Sequence, residues 1–84
     1  MDNHLIFGVH ITDRVAEAAE VQSLFTEYGS NIKTRLGLHE VEGDSSPAGI
    51  ILLEMYGDEA VCNELADKLN AIEGVEVQKM LFGH

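Results

Sequence analysis

Four histidines, one cysteine and a short basic run are the side chains from which this 84-residue sequence could build chemistry. His4 and His10 fall on the same face of an extended segment, yet six residues of strand hold them about 20 Å apart. They cannot bind one ion within a single chain. His10 and His39 can approach each other if their strands are neighbours, joined by the same pair from a symmetry mate. The other reading makes them polar residues lining an open sheet or an interface, and no metal is assigned. His84, at the end of the sequence, is given no role. Cys62 stands alone, which excludes an intrachain disulfide and any paired-cysteine zinc or redox motif. Its place on a helix suits a small, half-buried packing residue.

Lys33, Arg35 and His39 are the one concentration of positive charge. Projecting from one strand face, they can receive an anionic ligand, or the carboxylates of a second subunit. Thr12, Asp13 and Arg14 flank the start of the first helix, where free N–H groups suit a carboxylate or phosphate. Ordinary helix capping explains Thr12 and Asp13 equally well. Glu54, beside an apolar strand, has a setting that can tune a carboxylate, but no nucleophile, base and orienting group accompany it. Ser45 and Ser46 belong to a loop, and Met55, Met80 and Phe82 read as packing residues. No catalytic residue and no cofactor is predicted.

The elements that carry these residues are legible from their patterns. The densest apolar stretch, Ala48 to Phe82, reads as strand, turn, helix, turn, strand. Ile50 to Leu53 form a continuous apolar run, as in a strand covered on at least one face. Glu54 and Tyr56 share a face with Ile50 and Leu52. Gly57 breaks the run and Asp58 is placed to cap the next helix. That helix puts Val61, Leu65, Leu69 and Ile72 on one stripe beside Ala66. Gly74 stands where a left-handed residue would end it. Val75 and Val77 open the last strand, whose other face carries Glu76, Gln78, Met80 and Phe82.

The earlier half is a looser copy. From His4 to Thr12 the residues alternate, with Leu5, Phe7, Val9 and Ile11 as the core face. Gly8 in mid-strand suggests something packed closely against the backbone. A helix is expected over Arg14 to Tyr28, with Val15, Ala18, Val21 (or Gln22), Phe25 and Tyr28 inward and Leu24 adjoining. Gly29 is expected to end it. A strand from Ile32 to about Glu40 comes next, with Ile32, Thr34, Leu36 and Leu38 on one side. Val41 to Pro47 has loop composition throughout. The order strand–helix–strand–strand–helix–strand predicts an α+β, ferredoxin-like βαββαβ domain spanning residues 1–84: a four-stranded antiparallel sheet with both helices on one face. The bare face would carry Ile6, His10, Met80 and Phe82, and exposed apolar surface of that kind marks an interface.

Fifteen acidic against five basic residues give a net charge of −10. That argues against gripping a phosphate backbone, which demands a basic footprint. No signal peptide or membrane-length apolar run is present, so a cytoplasmic location without membrane partners is expected. A core this small gains from self-association.

Two resemblances add to this reading. ITDR leading into a helix, with YGSNI after it, resembles the amino-acid-binding ACT domains. IKTRLGLHEV, AGIILLEMYGDE and IEGVEVQKML are similar to the iron-only hydrogenase system regulator family, over nearly the whole chain. That resemblance implies a ferredoxin-like fold akin to the ligand-sensing C-terminal domain of nickel-responsive regulators, assembling as dimers or tetramers. Val15-Ala16 stand where an ACT domain has Pro-Gly, and Cys62 is on a helix rather than a strand, so no metal ligands are carried over. The expectation is a non-enzymatic homodimeric or homotetrameric regulatory domain binding a small, anionic effector between subunits. The alternatives are a small dimeric enzyme working in a cleft on the open sheet and a pure assembly module.

Overall fold

The computed structural model describes residues 4–12, 14–38 and 49–83, with the backbone alone for residues 14–18. Asp13, His39, the Val41–Pro47 loop and His84 lie outside the described residues, as do the side chains of Arg14, Val15 and Ala18. The elements are β1 (His4–Ile11), α1 (Arg14–Glu27), a 3₁₀ turn (Gly29–Asn31), β2 (Ile32–Leu38), β3 (Gly49–Met55), α2 (Glu59–Asn70) and β4 (Val75–Phe82). The sheet order is β2-β3-β1-β4, and every neighbouring pair is antiparallel. This is the expected ferredoxin-like βαββαβ arrangement. β3 and β4 therefore run parallel to each other on either side of β1.

Alternation in β1 does what period-2 patterning requires. Leu5, Phe7, Val9 and Ile11 are all buried, and they meet Leu53 and Met55 of β3 and Val75 and Val77 of β4. The helices supply Val21, Phe25 and Tyr28 from the first and Cys62, Leu65, Ala66 and Leu69 from the second. All of this core lies on one side of the sheet. Among the described residues, no helix covers the other side.

The turns obey local chemistry. Gly57 has φ of 92°, a conformation that costs a side chain but not glycine. Asp58 then caps α2, its Oδ1 accepting the Ala60 N–H at 2.9 Å. Asn31 ties the end of β3 to the start of β2. Its carbonyl accepts the Tyr56 N–H at 2.7 Å, and its amide Nδ2 donates to the Tyr56 carbonyl at 3.0 Å. Lys68 joins the two helices, 3.3 Å from Glu27 and 3.7 Å from Glu64, with its ammonium 5.0 Å from the centre of the Tyr28 ring.

Three local expectations are corrected. Gly29 is not left-handed; the chain leaves α1 through a 3₁₀ turn whose last N–H, on Asn31, bonds the Tyr28 carbonyl at 2.8 Å. Gly74 is left-handed, with φ of 87°, but it lies beyond α2, which stops at Asn70. Ile72 is still buried, in the turn rather than on the helix. The strand β2 does not alternate simply: Ile32 pairs with Met55 while Thr34 pairs with Glu54, so Lys33 is an extra residue in a bulge. Ile32 thus packs against the core, and Thr34, Leu36 and Leu38 face the open side. No described helix is long and apolar enough to cross a membrane.

Candidate functional site

The strand registers fix a grid on the uncovered face, because directly paired residues share a face. Leu38, Ile50, His10 and Glu76 form one row across all four strands. Leu36, Leu52, Gly8 and Gln78 form the next, then Thr34, Glu54, Ile6 and Met80, with Phe82 beside His4 at the far end. Leu36 is 54% exposed, Phe82 52%, Met80 47% and Leu38 45%. Four strands about 4.8 Å apart and seven residues long make a face of roughly 450 Å² in plan. That is the scale at which an exposed patch is usually functional. Among the described residues, Glu54 and Glu76 are the only acids on it, and Glu54 accepts a hydrogen bond from the Thr34 hydroxyl at 2.9 Å.

One corner of this face is concave. Gly8, His10, Ile50, Glu76 and Gln78 line a hollow of about 330 Å³. Gln78 Nε2 donates to Glu76 Oε2 at 3.0 Å, which fixes the carboxylate beside His10 on the adjoining strand. Gly8 forms part of the lining. A Cβ there would meet Leu52 Cδ2 at 3.9 Å and the Gln78 carbonyl at 4.0 Å, both ordinary contact distances. The close internal packing expected at Gly8 is therefore absent. A methyl group there would fit against these neighbours without a clash.

Of the residues that the sequence singles out, Ile6, His10, Met80 and Phe82 are brought together on this face. Thr12 follows β1, and both its N–H and its hydroxyl donate to the Gly74 carbonyl at 2.9 Å, which ties the end of β1 to the turn before β4. Arg14 begins α1, with only its backbone described. Lys33 is exposed in the bulge. Arg35 is on the helix side, paired with Leu53, with its guanidinium carbon 4.9 Å from the centre of the Phe25 ring. The described members of the basic set are thus not gathered on the open face. β3 runs between β1, which carries His10, and β2, so those two strands are not neighbours, and His39 itself lies outside the described residues. No group of three or more His, Cys, Asp or Glu among the described residues could hold a metal ion.

Sequence reasoning misses Leu36, Leu38, Ile50, Leu52, Glu76 and Gln78 as members of the site. The signal for Glu76 and Gln78 is present, in their phase with Met80 and Phe82. For Leu36 and Leu38 the side of the sheet depends on the bulge at Lys33.

Two helices over one side of a sheet in this strand order define the ferredoxin-like class to which ACT domains belong, and solved structures agree. An uncharacterized protein of Thermotoga maritima superposes with a TM-score of 0.81, covering 93% of this chain and 94% of its own, at 24% identity. The ACT domain of a GTP pyrophosphokinase from Chlorobium tepidum superposes with a TM-score of 0.63, covering 95% of this chain and 89% of its own, at 16% identity. At these identities the likeness establishes the fold. No protein-family model and no curated protein matches the chain.

Proposed function

We propose that this chain is a non-enzymatic regulatory domain that assembles with copies of itself through the open sheet face and holds a small effector at the edge of that contact. The observation that carries this reading is the face itself. Leu36, Leu38, Ile50, Leu52, Ile6, Met80 and Phe82 form an apolar field on a molecule of net charge −10, and of the described acids only Glu54 and Glu76 lie on it. A second copy brings an identical field, and apolar burial there meets less like-charge repulsion than on other surfaces. The hollow beside His10 supports an effector site over a pure assembly module, whose partner side chains would fill it. The likeness to an ACT domain and the sequence resemblance to iron-only hydrogenase system regulators support a regulatory role. With so acidic a chain, any action on DNA goes through a partner protein.

The effector site in this reading is the hollow, not the Lys33–Arg35 set, because Arg35 lies on the opposite side of the sheet. A ligand contacting two subunits favours the assembly that holds both. Native mass spectrometry of the purified protein tests the whole reading at once. A dimer or tetramer retaining a small-molecule mass is expected; a ligand-free monomer overturns it.

A further inference from the structure

We infer that the hollow selects a small cationic ligand, a primary ammonium on a short apolar body, with the Glu76 carboxylate as its counter-charge. This deepens the effector reading above and rests on it. The lining supplies the chemistry. Glu76 has its carboxylate oriented by the Gln78 amide, and neither of its oxygens meets a cation among the described residues. The ring of His10, half-buried beside it, makes no hydrogen bond among the described residues and can accept an N–H through a ring nitrogen. Ile50 and the bare Gly8 backbone make the apolar part of the lining. At about 30 Å³ for each water, the hollow corresponds to roughly eleven waters, enough for a ligand of a few carbons and its head group.

Self-association makes the charge requirement sharper. Exposed, Glu76 is solvated and needs no partner. Covered by a second copy, an uncompensated carboxylate in an apolar contact is costly. The chain has five basic residues to offer. Three are already committed on the helix side: Lys68 to Glu27 and Glu64, Lys79 to Asn63 at 2.8 Å, and Arg35 over Phe25. An exogenous ammonium meets the need without displacing any of them, and the acidic surface attracts it.

The test is two-dimensional amide NMR of the uniformly labelled protein at about 150 mM salt, which screens diffuse attraction to the acidic surface. Separate titrations use n-butylammonium chloride, sodium butyrate and zinc chloride. Saturable shifts from butylammonium confined to Gly8, His10, Ile50, Glu76 and Gln78 are expected, with none from butyrate. Glu76→Gln should weaken binding about tenfold or more, the loss of one charge-assisted hydrogen bond. Glu20→Gln, on the exposed part of α1, should leave it unchanged. Gly8→Ala should weaken it by filling the hollow. The inference is overturned if butyrate or zinc takes the hollow, if the shifts spread over the surface without saturating, or if Glu76→Gln binds as the parent does. It also falls if Glu76→Gln and Lys33→Ala each break the assembly, since Lys33 of a second copy would then be the counter-charge. Subunit count on the same samples separates the two ideas. An intact assembly that ignores butylammonium sinks the charge class alone, whereas a monomer sinks the regulatory reading.

Discussion

Cys62 shows how burial decides the behaviour of a single residue. Its side chain is fully buried, with the sulfur 3.5 Å from the Tyr56 carbonyl. Burial pushes the thiol above its ordinary value of 9.0, and the negative charges of Asp58 and Glu59 push the same way. The folded chain therefore keeps this proton to higher pH than the unfolded chain. Its contribution to stability is full below about 9 and is lost as pH rises through the folded value. Lys68 acts in the same direction. The Tyr28 side chain, then the Glu27 carboxylate, hold its ammonium above the ordinary 10.5, so its contribution is full below that value and fades above it. It sits on the surface, so its effect is the smaller one. Thermal melts monitored by circular dichroism should show a falling midpoint above about pH 9, flattened in Cys62→Ala. The thiol should resist a disulfide reagent until the protein unfolds. Asp58→Ala removes the cap of α2 and should cost about 1 kcal/mol in urea denaturation.

At the level of elements, three glycines that look alike in the sequence do different work. Gly57 has positive φ, and a Cβ there would lie 2.9 Å from Asn31 Nδ2, the amide that ties β2 to β3. Gly57→Ala should destabilise by about 1–2 kcal/mol, from backbone strain and a displaced Asn31. Gly8→Ala meets ordinary contacts and should leave stability unchanged or raise it by about 0.5 kcal/mol. Equal losses at the two sites, read from urea midpoints, would contradict this assignment. Gly29 has open space around it and needs no special conformation. The pseudo-repeat is therefore real in element order but not in its turns: α1 leaves through a 3₁₀ turn, and α2 through a turn closed by Gly74.

For the whole molecule, the decisive feature is asymmetry between the two sides of one sheet. One side is sealed by two helices and the other, among the described residues, is bare, with large apolar side chains facing outward. Leu36→Glu places a carboxylate in that field, on its edge strand β2, without touching the core. If the face joins subunits, the variant should be monomeric by light scattering and keep its far-ultraviolet spectrum. An assembly that survives this change would place the contact elsewhere.

Element order, the core face of β1, the cap at Asp58 and the outward row of β4 were all written in the sequence, because each depends on periodicity or on residues a few positions apart. The side on which Arg35 and Leu36 emerge was not, since one extra residue at Lys33 inverts the phase of Ile32 relative to the rest of β2. Nor could spacing alone show that β3 separates β1 from β2, or that Glu76 and Gln78 stand beside His10. Those facts belong to strand order and register, which join residues far apart in the chain, such as His10 and Glu76. Periodicity specifies each strand's faces; only pairing decides which neighbours share them.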